Sequence, residues 1–278
     1  MTSQETEKPA DSRGDVLMMD ELRLQLGQHP WLTHVQLLKE VGSTNDLALE
    51  AGRRGAVEGS VWAADRQTKG RGRYGRAWES AHPLGLWMTV LLRPDWLAQA
   101  PPRLTLVASV AAARAVEKTI SRACSIKWPN DLVVDGRKLG GILIETALDL
   151  EGRLFAAVGI GVNVHQQEND FSDAVRGKAI SLIQAAEKED SVKRITLLMH
   201  LLQELERTCR QDVEEVILEW KARCQSLGGL VRVQEDARLI EGVLVDIDHD
   251  GAALIRLSSG YVERIASGEI IHVSPTTQ

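Results

Sequence analysis

Apolar and polar positions alternate over short periods in the first third of the chain and predict small helices and strands. Residues 15–27 carry apolar side chains at helical spacing, and Gly27 is a typical helix end. Short apolar runs predict three strands, at Val35–Val41, Gly59–Ala64 and Leu84–Leu92. The polar turn Ser43-Thr44-Asn45 separates the first strand from the stretch Asp46–Ala51, which has a helical composition. A strand, a polar turn and a helix therefore follow one another.

The middle of the chain combines long helices with a run of short strands. Pro101–Ser121 is amphipathic and begins with proline, whose missing N–H costs least at a helix start. Residues 125–164 form short apolar segments divided by the turn signals Asp135-Gly136 and Glu151-Gly152, which is typical of an antiparallel meander. Two further helices are predicted at Ser191–Arg210 and Val213–Cys224, and we expect Gly228-Gly229 to end the second.

The pattern changes again in the last fifty residues or so. Four short β-like stretches separated by turns predict a small β-barrel, with strands at Leu230–Val233, Gly242–Ile247, Ala252–Leu257 and Tyr261–Ala266. The sequence therefore predicts an α+β protein with a mixed, largely antiparallel sheet. We expect a flexible tail over residues 1–14, a main domain over 15–227 and the barrel over 228–278.

Composition and charge exclude several classes of protein. With 33 basic and 39 acidic residues the net charge is −6, the wrong sign for a protein that coats nucleic acid over a broad face. No apolar run approaches the roughly 20 residues that span a bilayer, and residues 1–14 lack the apolar core of a secretory signal. The three cysteines lack CxxC or Cys/His spacing, which argues against a disulfide framework or a zinc site and favours the cytoplasm.

A loop rich in glycine and arginine is the first candidate for chemistry. Lys69–Arg76 holds four cations and three glycines, here called the Gly/Arg loop. Glycine lets backbone N–H groups approach a ligand, and guanidinium groups match phosphate oxygens, so the loop suits a polyphosphate. Taken alone, such a run is more often a solvated or nucleic-acid-contacting loop than an active site. The P-loop pattern is absent, so a nucleotide would have to be held in another way.

A second cluster, Lys127–Asp131, follows a short apolar approach and precedes a predicted strand. Its lysine offers a point charge for phosphate, Trp128 a stacking plane, and Asp131 a hard oxygen ligand for Mg²⁺. The alternative is a surface turn in which Asn130 and Asp131 bond to their own backbone.

Three smaller features have both functional and structural interpretations. Lys138 precedes Gly140-Gly141 in a predicted strand, where glycine often marks the close approach of a ligand. Taken alone, however, a lysine at a strand end is more often simply solvated. Asn163 ends a similar glycine-containing strand. The turn Ser43-Thr44-Asn45 is suited to capping a helix, and its hydroxyl and amide groups also suit a neutral polar ligand such as a cyclic urea.

Together, these segments resemble the biotin protein ligases, also called biotin–[acetyl-CoA-carboxylase] ligases. They occur in the family's order, and the resemblance extends from about Val35 to the end of the chain. The matching segments are Ser43-Thr44-Asn45, Gln67 with Gly70–Arg76 and Trp78, Lys127–Asp131, Lys138 with the Leu-Gly-Gly-Ile-Leu that follows, and Gly159–Asn163. The resemblance implies a catalytic domain like the cores of class II tRNA synthetases, followed by an SH3-like β-barrel.

The resemblance also implies a role for each matching residue. Arg73 and Lys138 are expected in catalysis, with Lys138 stabilising charge, and Asp131 is the expected ligand of Mg²⁺. The positions expected around biotin are Ser43, Thr44, Asn45, Gln67, Arg71, Gly72, Arg73, Lys138 and Gly141. The positions expected around the nucleotide are Arg73, Arg76, Trp78, Lys127, Asn130, Asp131 and Asn163.

The implied activity is the ATP- and Mg²⁺-dependent formation of biotinyl-5′-AMP, followed by transfer of biotin to a lysine of the biotin carboxyl carrier protein of acetyl-CoA carboxylase. We expect no tightly bound prosthetic group, no membrane or DNA partner, and a monomer or homodimer. Only about forty residues precede Ser43, too few for the winged helix-turn-helix of the bifunctional members, which favours a monofunctional enzyme. The alternatives are a lipoate or octanoate ligase of the same fold and a non-enzymatic nucleic-acid-binding or regulatory protein.

Overall fold

The computed structural model describes residues 14–80, 83–188 and 192–274. The tail expected over residues 1–14 lies outside these ranges apart from Gly14. Six helices are described: α1 Met19–Leu26, α2 Thr44–Arg53, α3 Arg103–Ile120, α4 Leu182–Ala185, α5 Arg194–Cys209 and α6 Val213–Arg223. Short 3-10 helices occupy Leu32–His34, Arg73–Gly75 and Glu168–Asp170. No helix in these ranges has the length and apolar character needed to cross a bilayer.

The strands fall into two separate sheets. The first contains β1 Val35–Val41, β2 Val61–Gln67, β3 Gly85–Leu92, β4 Ser125–Lys127, β5 Asp131–Val134, β6 Arg137–Leu148 and β7 Leu154–Asn163. The second contains β8 Leu230–Glu235, β9 Arg238–Ile247, β10 Ala253–Arg256, β11 Val262–Ile265 and β12 Glu269–Ser274.

The first sheet has the order β1-β2-β3-β7-β6-β5-β4. Strands β1 and β2 run parallel, and the remaining neighbours are antiparallel. All neighbours in the second sheet are antiparallel, in the order β11-β10-β9-β8-β12. The prediction of an α+β protein with a mixed, largely antiparallel sheet is therefore confirmed.

Apolar residues on the two faces of the sheet pack against different helices. One face, with the buried helix α3, belongs to the main core, whereas Trp62, Leu91 and Phe155 pack with Ala48 of α2 in a smaller core. Side chains alternate between the faces of a strand, so neighbouring residues such as Val61 and Trp62 serve different cores. Helix α2 is thereby held against the sheet with its first residues beside β3 and β6.

The sequence misplaced some boundaries. Helix α6 ends at Arg223, not at Gly228, because residues 225–228 form a turn before β8, in which the Gly228 N–H donates to the Leu244 carbonyl of β9 at 2.7 Å. Strand β9 begins at Arg238, four positions before the predicted Gly242. Strand β12 and the one-turn helix α4 were not predicted, since both are short and only weakly periodic.

The second sheet is attached to the first by several polar contacts. The Trp128 indole N–H donates to the Gly251 carbonyl at 3.0 Å, and Arg103 Nε donates to the His249 carbonyl at 2.8 Å. Lys221 forms an ion pair with Asp246 at 2.7 Å. The second sheet is therefore held beside the turn that contains Trp128.

The close fit of α2 against the sheet generates a prediction for Gly52→Ala. Helix propensity alone would stabilise the variant by about 1 kcal/mol. A Cβ atom at Gly52 would, however, lie 2.2 Å from Cε2 of Phe155. Overpacking of this kind costs about 1–3 kcal/mol, so we expect a lower Tm in thermal denaturation. Glu50→Ala, at an exposed position of the same helix, is the control and should change Tm little; a higher Tm for Gly52→Ala would contradict the packing.

Candidate functional site

A cavity of about 670 Å³ opens beside β3, β6 and β7, between the Gly/Arg loop and the turn that contains Trp128. Every residue that the sequence assigned to a ligand lines it. These are Ser43, Thr44, Asn45, Gln67, Arg71, Gly72, Arg73, Arg76, Trp78, Lys127, Asn130, Asp131, Lys138, Gly141 and Asn163. The structure thus brings together segments that are more than one hundred residues apart in the chain.

Glycines in β6 and β7 make room for side chains that lie across the strands. A Cβ atom at Gly159 would be 2.3 Å from Oδ1 of Asn45. Cβ atoms at Gly161 and Gly141 would lie 3.1 Å and 3.4 Å from ring atoms of Trp78. The glycines therefore admit protein side chains as the floor of the cavity.

The Ser43-Thr44-Asn45 turn begins α2, but its hydroxyl group does not cap the helix. Ser43 occupies the N-cap position with extended backbone and makes no capping hydrogen bond with its side chain. Gln67 replaces it: its Oε1 accepts from the Thr44 backbone N–H at 2.8 Å and from Thr44 Oγ1 at 3.1 Å. The capping expected of Ser43 is thus performed by a residue of β2, and Ser43 faces the cavity.

The amide of Asn45 is held on both sides. Its Nδ2 donates to Oε2 of Glu145 at 2.7 Å and to the Leu143 carbonyl at 3.3 Å, while Oδ1 accepts from the Thr89 hydroxyl at 2.6 Å. Thr89 is fully buried. The orientation of Asn45 is therefore determined by β3 and β6.

The Gly/Arg loop is closed on itself by backbone hydrogen bonds. The Gly72 N–H donates to the Arg76 carbonyl at 2.8 Å, and the Trp78 N–H donates to the Gly70 carbonyl at 3.0 Å. The short 3-10 helix between them contains Tyr74 at φ 58°, which is unusual for a residue with a side chain. The two ends of the Gly/Arg loop are thus paired, and Arg71, Arg73 and Arg76 line the cavity.

Arg71 is bound to two carboxylates. Its Nη1 and Nη2 donate to the two carboxylate oxygens of Asp46 at 3.0 Å and 2.6 Å, and Nη2 also contacts Glu145 at 3.4 Å. The hydrogen bonds from Arg71 lower the pKa of Asp46, and the same bonds raise the pKa of Arg71. This guanidinium group therefore has little uncompensated charge.

The other two arginines of the loop contact the second sheet, a source of site residues that the sequence did not suggest. Arg73 Nη1 donates to the Gly268 carbonyl at 2.8 Å, and its guanidinium carbon lies 5.0 Å from the centre of the Tyr74 ring. Arg76 forms an ion pair with Glu269, which also lines the cavity. The predicted barrel region thus contributes to the mouth of the cavity.

The segment Lys127–Asp131 contains two residues that support the structure and a half-buried lysine that lines the cavity. Trp128, which the sequence offered as a stacking plane, is 1% exposed and anchors the second sheet through Gly251. Asn130 Nδ2 donates to the Ile142 carbonyl at 2.6 Å. Within the described ranges Lys127 has no ion-pair partner, so its ammonium group is available to an anionic ligand.

Lys138 lies between an acid and an aromatic ring. Its Nζ is 2.6 Å from Oδ1 of Asp131 and 5.3 Å from the centre of the Trp78 ring. The Trp78 indole N–H is buried without a hydrogen-bond partner in the part of the chain that the structure describes. An acceptor atom on a ligand in the cavity would satisfy this donor, because buried N–H groups are rarely left unpaired.

The sequence missed one wall of the cavity, formed by residues 166–179. Phe171 and Ala179 are buried there, and the Lys178 carbonyl accepts from the Lys138 N–H at 2.8 Å. The Ser172 hydroxyl donates to Glu79 at 2.5 Å, which joins this wall to the segment just after the Gly/Arg loop. Its sequence is irregular, and the glycine–lysine pair Gly177-Lys178 was the one signal that could have indicated it.

The described residues were also compared with the requirements of a metal centre and of a thiol nucleophile. The described residues contain no group of three His, Cys, Asp or Glu side chains arranged to hold a metal ion. All three cysteines are free, and burial raises the pKa of Cys124 and of Cys209 to about 12, so neither is a ready thiolate nucleophile. The arrangement is instead suited to an anionic ligand that also carries flat rings.

Comparison with family models gives two matches. Residues 38–164 match the biotin/lipoate A/B protein ligase family, and residues 227–273 match the biotin protein ligase C terminal domain. The first range contains all of the cavity residues that the sequence identified, and the second contains the second sheet except for the end of β12.

Known proteins give consistent similarities. The chain is 33% identical over 258 residues to the bifunctional ligase/repressor BirA of Bacillus subtilis, covering 91% of this chain and 78% of that protein. It is 30% identical to the biotin–[acetyl-CoA-carboxylase] ligase of Mycobacterium tuberculosis, over 95% and 96% of the two chains. The biotin protein ligase from Aquifex aeolicus, solved in complex with biotin and ATP, superposes with a TM-score of 0.72 at 31% identity and covers 85% of this chain and 97% of that one.

Proposed function

Because the chain belongs to the biotin/lipoate A/B protein ligase family, we propose that it is an ATP-dependent biotin protein ligase. It activates biotin as biotinyl-5′-AMP and transfers the biotinyl group to a lysine of a carrier protein. One observation carries the proposal: cations from three separate segments and a polar turn suited to a ureido ring line the same cavity. The cations suit a triphosphate, and the polar turn suits the ureido ring of biotin.

In the first step, a carboxylate oxygen of biotin forms a bond to the α-phosphorus of ATP while the bond to the leaving pyrophosphate breaks. Both reactants are anions, so the site must neutralise charge that builds up between them. Arg73, Arg76, Lys127 and Lys138 surround the cavity and supply positive charge. Cations that already surround the cavity when the ligands bind lower the barrier, because little further reorganisation is needed during the reaction itself.

Lys138 has the most direct role in this proposal. Its Nζ lies 2.6 Å from Asp131, and we assign it to the carboxylate and α-phosphate as an electrostatic stabiliser. An ammonium group on a flexible stem can exchange one anionic partner for another. Asp131 is then free to serve the metal of MgATP; one carboxylate is sufficient because Mg²⁺ retains several waters and is also held by substrate phosphates.

The nucleotide is assigned to the side of the cavity that contains Trp78, Lys127, Asn130 and Asn163. Trp78 offers a flat ring supported by Gly141 and Gly161, and its unpaired indole N–H offers a donor. Asn130 and Asn163 line the cavity and donate to the backbone carbonyls of Ile142 and Ile180, so these two amides hold the walls on this side together.

Biotin is assigned to the opposite side. The Ser43 hydroxyl is not used in capping, and Thr44, Asn45 and Gln67 add further polar groups beside it. A ureido ring requires both donors and acceptors, which this set provides. Arg71, Gly72 and Gly141 complete this side, next to Arg73.

In the second step, the neutral amine of the acceptor lysine attacks the carbonyl carbon of the mixed anhydride. The bond to the AMP oxygen breaks, an amide forms, and the amine loses its proton. We assign the acceptor to the biotin carboxyl carrier protein of acetyl-CoA carboxylase and the reaction to the cytoplasm. The proposal includes no membrane or nucleic-acid partner.

A pyrophosphate-release assay tests the proposed function. We expect ATP-dependent release with biotin and little or none with lipoate, octanoate or no acid. Release with lipoate or octanoate but not with biotin would favour the related ligase activity, for which the shared family is the only support. No release with any acid would contradict both.

For Lys138→Ala we expect the rate of pyrophosphate release to fall about a hundredfold or more, the usual cost of removing one preorganised donor to a developing charge. Tm should stay near the wild-type value, because the side chain is 41% exposed. Lys39→Ala, at an exposed position of β1, is the matched control and should leave both measurements unchanged. A nearly wild-type rate would remove Lys138 from the reaction.

For Arg73→Ala we expect biotinyl-5′-AMP to escape from the enzyme about tenfold faster or more, since a charged hydrogen bond is lost. The measurement is the rate at which labelled adenylate passes through a filter that retains the protein. Arg53→Ala, at an exposed helix end, serves as the control. Unchanged retention of the adenylate in Arg73→Ala would rule out a role for Arg73 in closing the site.

A further inference from the structure

Arg71 differs from the other cations around the cavity because carboxylates already surround it. Its two terminal nitrogens bind both oxygens of Asp46, and one of them also contacts Glu145. In the described part of the chain, Lys127 has no acidic partner and Arg73 donates only to a backbone carbonyl and a tyrosine hydroxyl. Arg71 is therefore better placed to fasten the Gly/Arg loop than to neutralise a ligand.

The two carboxylates belong to different elements. Asp46 lies in the first turn of α2, directly after the Ser43-Thr44-Asn45 turn, and Glu145 lies in β6. Glu145 Oε2 also accepts from Asn45 Nδ2 at 2.7 Å. The Glu145 carboxylate thus contacts both Arg71 of the loop and the side-chain amide of Asn45.

The network continues into the sheet and returns to the turn. The Thr89 hydroxyl lies 2.6 Å from Asn45 Oδ1 and 2.8 Å from Thr44 Oγ1, and Thr44 in turn donates to Gln67. The network thus joins the loop, α2, β2, β3 and β6 beneath one side of the cavity. A shift of Arg71 would be transmitted to the groups assigned to biotin.

We propose that Asp46 and Glu145 are positioning residues that, through Arg71 and Asn45, hold the Gly/Arg loop against the Ser43-Thr44-Asn45 turn and so shape the biotin side of the cavity. The inference rests on the proposed ligase function. The groups assigned to ATP, such as Lys127 and Asn130, are not part of this network. Loss of either carboxylate therefore weakens the use of biotin more than the use of ATP.

The test compares Asp46→Asn, Glu145→Gln, Arg71→Met and the double variant Asp46→Asn with Arg71→Met. We expect each to raise KM for biotin about three- to tenfold, because charged hydrogen bonds in partly exposed pairs are of that strength. KM for ATP and kcat should change less than about twofold by the same argument. Because Asp46 and Arg71 act through one contact, the double variant should resemble Arg71→Met alone.

Glu40→Gln is the matched control, because Glu40 forms an equally short ion pair with Arg66 at 2.7 Å on β1 and β2, outside the network. It should leave KM for biotin unchanged. Equal rises in both KM values, a fall in kcat alone, or effects that add in the double variant would overturn the inference. Failure of the wild-type protein to release pyrophosphate with biotin would instead count against the proposed function, so the two outcomes are distinguishable.

Discussion

The absence of side chains at Gly159, Gly161 and Gly141 is the constraint on which the candidate site depends. Asn45 and Trp78 lie directly over these positions, and at Gly159 even a methyl group would overlap Asn45. Without Asn45 in this place, the hydrogen bonds from Thr89 and to Glu145 could not form. The glycines weaken β6 and β7 as strands, a cost that the long pairing between these strands offsets.

Two of the cations around the cavity form ion pairs with protein carboxylates that an anionic ligand can replace. Lys138 pairs with Asp131 and Arg76 pairs with Glu269, and both pairs are partly exposed. Exposed ion pairs contribute little to stability, so exchanging one anion for another costs little. Arg71 is bound by two carboxylates and would lose both contacts if it turned to a ligand. It therefore holds the loop in place, whereas Lys138 and Arg76 are available to phosphate.

The regular elements could be predicted from sequence patterns, whereas the set of site residues was predicted from the resemblance to a known family, because each segment alone also had an ordinary structural interpretation. The bounds predicted for β1 match the structure, and the meander and the α3, α5 and α6 helices appeared near their predicted places. Residues 166–179 and β12 escaped prediction because irregular backbone and short strands carry almost no periodicity. The burial of Trp128 and the substitution of Gln67 for Ser43 as the capping group depend on contacts distant in sequence, which no local pattern contains.

These long-range contacts also explain why the Gly/Arg loop is ordered although its sequence is rich in glycine. One end is fastened to α2 and β6 through Arg71, and its centre is tied to the second sheet through the Gly268 carbonyl. The Ser172 hydroxyl joins the wall formed by residues 166–179 to Glu79, which lies just after the loop. These attachments come from three directions and join the loop to segments that are distant in sequence, so its conformation is fixed by tertiary contacts and not by its own composition.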